Sequence, residues 1–229
     1  MKKLAILQNA DFEKSGRLGA WAHSLGFGVE EFCAYKGELP ATEYFSHLVV
    51  LGTPHSVHEI PQREWLNKES TLVARALDQG KHVLGICFGA QLLAHLLGGS
   101  VSLGAEAEIG WHRMPAQPHP AQWNAPGMAE GELFFWHREI FSLPPGCQPL
   151  GSTPAGYLGG FSYGKKVLAL SGHLEITEEL IEEYIQLCWS DRNAGPYVQP
   201  PEHMRARCSE VAAAREAFAR GLFTAWANG

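Results

Sequence analysis

The chain lacks most of the features that would assign it at a glance. No segment approaches the roughly 18 consecutive apolar residues of a membrane span. The apolar run near the N-terminus covers only Leu4–Leu7, too short for a signal peptide. There is no CxxC pair, and the five cysteines (Cys33, Cys87, Cys147, Cys188 and Cys208) are odd in number and scattered. That argues against a disulfide frame or a zinc site and fits free thiols in a reducing cytoplasm. The phosphate-loop pattern GxxxxGK[ST] is absent, and Gly52-Thr53-Pro54, although it spells GTP, is not a nucleotide motif. No block of five or six like charges occurs. The net charge of −6 disfavours nucleic acid or an anionic membrane as a partner. Repeats and low-complexity tracts are missing as well. What remains is ordinary globular composition, 45% hydrophobic and 18% charged, over 229 residues, a length one α/β domain commonly fills.

Within the first hundred residues, short apolar runs alternate with helical patterns. "KKLAILQ", "FSHLVVLG" and "KHVLGIC" read as strands buried on both faces of a parallel sheet. Between them, Leu18, Trp21, Ala22 and Leu25 recur at helical spacing before Gly26, and Trp65, Leu66, Leu72, Val73, Ala76 and Leu77 share a helix face that Gly80 ends. This alternation predicts a parallel α/β fold. From Ser100 to Gly160 prolines and glycines multiply around strand-like pieces such as "ELFFWH", which predicts antiparallel hairpins added to the sheet. "KKVLALSGH" predicts one more buried strand. The helix after it has Thr177 as N-cap and acids in its first turn. From about Pro201, Met204, Cys208, Val211, Arg215, Phe218, Leu222 and Trp226 fall at three- and four-residue steps, the stripe of an amphipathic helix packed on the parent domain. The expected division is residues 1–190 and a helical extension, 191–229.

Chemistry concentrates at "GICFG". Cys87 stands between an apolar strand and an apolar helix with glycine on both sides, the Gly-x-nucleophile-x-Gly pattern of a strand-to-helix elbow. A thiol there also sits near the positive end of a helix, which favours the reactive thiolate. A small core cysteine is the bland alternative. Eleven histidines compete as its proton carrier. His173 ends an apolar strand, and Glu175 two residues on projects to the same side of an extended chain. One ring nitrogen can then bond the carboxylate while the other faces the sulfur. Isolated HxE strings are common, so that pair decides little alone. The order Cys, His, Glu departs from the α/β-hydrolase order, in which the acid precedes the histidine. His55 and His58 read as loop residues rather than a metal pair, and His112 and His119 as hairpin or loop residues. His137 is either a pocket residue or a packed one. Phe134, Phe135 and Trp136 read as core. No metal or cofactor is expected.

"VVLGTPHSVHE", "HVLGICFGAQLLAHLLGG", "EIGWHRM", "FFWHRE" and "SGHLEIT" occur in this order over roughly the first 190 residues. Together they resemble class I glutamine amidotransferases, and most closely the free-standing members without a fused synthetase. The resemblance implies a flavodoxin-like parallel sheet and a Cys87–His173–Glu175 triad acting on glutamine. It implies oxyanion donors at the backbone N–H groups of Thr53 and Phe88, and substrate contacts at Gly52, Gln91 and Glu139, the last for the α-ammonium. Two departures stand out. Thr53 replaces the second glycine of the family's Gly-Gly-Pro, at a steric cost if the loop needs a positive φ. Leu174 replaces the proline of His-Pro-Glu, giving up rigidity. The expected partner is glutamine or a γ-glutamyl small molecule, together with a separate ammonia-accepting synthetase, since the chain shows no second catalytic domain. A γ-glutamyl peptide or amide hydrolase and a catalytically silent regulatory module remain the alternatives.

Overall fold

The computed structural model describes residues 2–114, 131–190, 194–210 and 212–229. A seven-stranded sheet, in the order β2-β1-β3-β4-β9-β8-β7, forms its centre. Strands β1 (Lys3–Gln8), β2 (Gly28–Cys33), β3 (His47–Val50), β4 (His82–Ile86) and β9 (Val167–Leu170) pair in parallel. The order 2-1-3-4 followed by β9 is the flavodoxin-like winding, which reverses direction between β1 and β3. Such a reversal opens a crevice beyond the carboxyl ends of the strands.

The continuous apolar runs follow from burial on both faces. Leu4, Ile6, Val49, Leu84, Ile86, Leu168 and Leu170 enter one core, shared with α1 (Leu18–Ser24) and α6 (Ala212–Asn228). Their alternates Ala5, Leu7, Leu48, Val50, Val83 and Ala169 enter the other, under α2 (Glu64–Asp78) and α3 (Phe88–Leu96). This is the two-residue period of a strand read on both sides. Helix α3 is buried from Phe88 to Ala94, which is why its sequence is apolar all round.

The hairpin region differs from expectation. Among the described residues only β7 (Gln148–Ser152) and β8 (Leu158–Tyr163) extend the main sheet, antiparallel at its edge. The long strands β5 (Val101–Arg113) and β6 (Glu132–Phe141) form a separate two-stranded sheet. That sheet packs its own core, with Ile109, Trp111 and Phe134 against α4 (Glu178–Cys188) and against Met204 and Cys208 of α5 (Pro201–Glu210). His112 therefore lies on a strand, and its Nε2 bonds the Tyr197 carbonyl at 2.9 Å. His119 lies outside the described residues. Thr177 caps α4 as expected, its hydroxyl accepting the Leu180 N–H. In α6, Phe218, Leu222 and Trp226 are all but fully buried, and the Trp226 indole donates to the Lys166 carbonyl at 3.0 Å. Among the described residues no helix is long and apolar enough to cross a membrane.

One buried charge type was not expected. Glu69 on α2 is fully buried, and among the described residues neither carboxyl oxygen has a partner and the side-chain oxygen of Asn9 is also unpaired. Asn9 is the polar side chain nearest the Glu69 carboxyl. Burial raises this carboxyl to about 8, against the opposing pull of Asn9. A carboxyl held protonated by the fold loses stability for the folded state as pH rises from its unfolded value, near 4.5, through 8. Urea denaturation should therefore show the wild type losing on the order of 3 kcal/mol more than Glu69→Gln between pH 5 and pH 8. Parallel stability curves for the two proteins would contradict the assignment.

Candidate active site

The site begins with steric necessity at the end of β4. Cys87 has φ 53° and ψ −108°, and among the described residues it is the one non-glycine at positive φ. Such a backbone costs on the order of 1–3 kcal/mol and persists only where the surroundings enforce it. They do so through two close approaches. A Cβ on Gly85 would stand 2.4 Å from the Gly89 carbonyl, and one on Gly89 would stand 2.2 Å from the Val50 carbonyl oxygen. Both flanking glycines are thus required for contact, while the positive φ belongs to the cysteine itself. The Cys87 N–H donates to Leu170 of β9 at 2.8 Å, and its carbonyl accepts from Ala90 and Gln91 in the first turn of α3. The sulfur emerges, 8% exposed as a residue, into an open cleft of about 540 Å³. This volume is in the usual range for small-molecule sites.

Strand β9 carries the imidazole to the same place. A Cβ on Gly172 would stand 2.7 Å from Leu133, so glycine lets the chain pass beneath the β5–β6 sheet. The His173 N–H then donates to the Phe134 carbonyl at 2.8 Å. The ring Nδ1 lies 2.5 Å from Glu175 Oε1, both side chains almost fully buried. With the Nδ1 proton directed at the carboxylate, Nε2 is left without a hydrogen-bond partner among the described residues and available to the sulfur. Burial disfavours the charged ring, but Glu175 and the neighbouring Cys87 sulfur outweigh it and hold the imidazole well above its ordinary pKa. The sulfur and the imidazole are therefore brought together, with the carboxylate behind.

The two departures from the family pattern look different in three dimensions. Thr53 is not at positive φ in this structure. Its hydroxyl donates to the Asn9 carbonyl at 3.1 Å, and the Asn9 amide donates to the Leu51 carbonyl at 3.1 Å. Together these bonds tie the loop after β3 to the end of β1. Leu174 is 2% exposed and packed in the core with Leu133 and Leu170.

The other expected residues divide. Thr53, Gln91 and Glu139 line the cleft beside Cys87, with Trp136 and His137. Gln91 nevertheless donates to the Glu139 carbonyl at 3.3 Å, and the Glu139 carboxylate accepts from the Ser56 hydroxyl at 2.8 Å. Gly52 is backed by Glu13, whose carboxyl atoms lie 2.6–2.8 Å from where a Cβ would be. Phe88 turns its ring into the core, leaving its backbone at the start of α3. His55 and His58 separate: His55 pairs with Glu59 at 3.2 Å and His58 bonds the Val101 carbonyl at 3.0 Å. His137 is both packed and cleft-lining, and burial lowers it to about 4.

Sequence reasoning missed two residues behind the imidazole. The Tyr184 hydroxyl donates to Glu13 Oε2 at 2.6 Å and lies 3.4 Å from His173 Nδ1. Glu13 sits in a charged, turn-like stretch, and Tyr184 reads simply as one member of an apolar helix face, so neither advertises the contact.

The profile of the glutamine amidotransferase class-I family matches residues 30–147. A glutamine-hydrolysing GMP synthase of Leptospira interrogans is 28% identical over 212 residues, covering 85% of this chain and 32% of that protein. The chain thus spans about a third of such relatives. A glutamine amidotransferase-like protein of Salmonella typhimurium, YfeJ, is 29% identical over 196 residues, with 80% of each chain covered. The crystal structure of a glutamine amidotransferase from Methylobacillus flagellatus superposes with a TM-score of 0.88 at 26% identity, covering 100% of this chain and 95% of that one. One from Thermotoga maritima shares the fold with a TM-score of 0.88 at 22% identity, covering 100% and 99%.

The elbow geometry makes a contrast between two glycines testable. Gly89→Ala should lose about 3 kcal/mol or more of stability, or fail to fold, because the added methyl meets backbone. Gly19→Ala in α1, which has open space around it, should stay within about 1 kcal/mol of wild type. Equal tolerance of both changes in urea denaturation would contradict the close approach.

Proposed function

Because the chain belongs to the class-I glutamine amidotransferase family, we propose that it hydrolyses the γ-carboxamide of glutamine, or of a γ-glutamyl group, through a Cys87–His173–Glu175 triad. The observation that carries this reading is the buried His173–Glu175 contact of 2.5 Å, with the ring's other nitrogen free beside the elbow sulfur.

In this mechanism the Cys87 thiolate attacks the amide carbon. The backbone N–H groups of Thr53 and Phe88 stabilise the oxyanion, each donor contributing about 3 kcal/mol. His173 protonates the departing nitrogen as the C–N bond breaks, which leaves a γ-glutamyl thioester and ammonia. The neutral imidazole then takes a proton from water, hydroxide adds to the thioester, and glutamate leaves as the thiolate re-forms. Glu175 holds the Nδ1 proton throughout, keeping Nε2 directed at the sulfur. Glu139, Gln91 and Gly52 form the wall for the amino-acid end of the substrate, with the Glu139 carboxylate receiving the α-ammonium.

Relatives named as glutamine-hydrolysing GMP synthases pair such a domain with an ammonia-consuming activity, which supports a synthetase as the acceptor of ammonia. The cleft beside Cys87 is open to solvent, which supports the second reading, a γ-glutamyl peptide or amide as substrate.

Cys87→Ala should lower ammonia release from glutamine by at least about a thousandfold while leaving the melting temperature essentially unchanged. Undiminished turnover would eliminate the mechanism. A mass-spectrometric comparison of glutamine with γ-glutamyl dipeptides, with and without added lysate protein, separates the two readings. Turnover of glutamine only when protein is added indicates a synthetase subunit, and turnover of the dipeptides alone indicates the hydrolase.

A further inference from the structure

One carboxyl beside the triad takes no part in the reaction as written. Glu13 lies in the loop between β1 and α1, and its side chain turns inward, leaving the residue 5% exposed. On one side it accepts the Tyr184 hydroxyl at 2.6 Å, and that hydroxyl lies 3.4 Å from His173 Nδ1. Polar atoms of Glu13, His173 and Glu175 all stand within 4.8 Å of one another. On the other side its carboxyl packs against Gly52, at a position where only glycine leaves room. A single buried acid thus touches both the imidazole assembly and the loop that leads to Thr53. The Tyr184 ring is fixed among the rings of Phe12, Phe134, Trp136 and His173, so its hydroxyl cannot swing away without repacking.

Two carboxyls and one imidazole in this space cannot all change charge independently. We propose that Glu13 is a positioning residue, acting through Tyr184 and His173, whose ionisation sets how much of the Cys87–His173 pair exists as thiolate and imidazolium. The inference rests on His173 being the proton carrier for Cys87. A negative Glu13 lies nearer the ring than the sulfur's side of the pair, so it favours the proton on nitrogen. The groups that face Glu13 are His173 and Glu175 beyond β9, Tyr184 and Cys188 on α4 and, through Tyr184, the Cys87 sulfur. Burial holds the Cys188 thiol at about 11 and the Tyr184 hydroxyl well above its usual range, so both stay neutral near pH 7. Burial raises Glu13 itself to about 7, opposed by the His173 charge and the Tyr184 hydrogen bond.

The test is the rate of Cys87 alkylation by iodoacetamide from pH 5 to pH 9, followed on the Cys87 peptide by mass spectrometry. In the wild type the rate should rise through a step near pH 7. In Glu13→Gln the step should vanish, and the rate at pH 8 should be about tenfold lower, the equivalent of one pKa unit in the ion-pair equilibrium. In Tyr184→Phe, which keeps the ring packing, loss of the hydrogen bond should move the step to higher pH. A Glu13→Gln profile that superimposes on the wild type would overturn the proposal. If that variant does not fold, an unmoved step in Tyr184→Phe would overturn it equally. Because the readout is thiol reactivity, a protein that shows the Glu13 step but leaves glutamine intact would refute the glutaminase reading alone.

Discussion

The site depends on one close approach of backbone to backbone. At Gly89 the start of α3 comes so near to β3 that the Val50 carbonyl oxygen occupies the space a side chain would need. Gly85 makes the matching approach from β4. With helix and strands pressed together in this way, the residue between them is forced to turn, and Cys87 adopts a backbone that side chains rarely take. The strain is supported by the surrounding packing, since nearly every residue of α3 is buried. Its consequence is placement: the sulfur stands at the carboxyl edge of the sheet, beside the end of β9, where the imidazole arrives.

The second constraint is electrostatic. His173 and Glu175 lie where water barely reaches, so their hydrogen bond is strong and the imidazolium is favoured despite its burial. The elements packed around them carry further acids in unusual states. Glu13, close to neutral pH, stands behind the ring, and Glu69 is kept protonated beside Asn9. Asn9 in turn braces the Leu51 carbonyl and accepts the Thr53 hydroxyl. Buried acids therefore flank the loop after β3 on both sides.

Much of this was legible in the residues. Strands buried on both faces, such as Leu4–Leu7 and His47–Val50, wrote themselves as continuous apolar runs, and the elbow glycines marked Cys87. Strand β2 was not legible, because as an edge strand it keeps Glu30 and Glu31 in solvent and shows no clean alternation. The length of β5 was hidden by Gly104, Gly110 and a shift of register between Leu103 and Glu108. The hairpins split between two sheets for a reason visible only in space, since β5 and β6 bury their aromatics against α4 and α5 rather than extending the main sheet. Thr53 and Leu174 were read through the family pattern as losses; in space the Thr53 hydroxyl bonds the Asn9 carbonyl and Leu174 is buried. Glu13 and Tyr184, 171 positions apart, illustrate what local reading misses: a long-range contact between a loop acid and a helix tyrosine has no signature in either segment.

The central claim is that the elbow sulfur acts with the His173 imidazole as a nucleophile toward the glutamine side chain. Acid quenching during turnover of glutamine, followed by intact-protein and peptide mass spectrometry, tests it most directly. A γ-glutamyl adduct carried on the Cys87 peptide in the wild type and missing from a His173→Ala protein is the result predicted. An adduct on another cysteine, or turnover with no covalent species at Cys87 while that thiol still reacts with iodoacetamide, would contradict it.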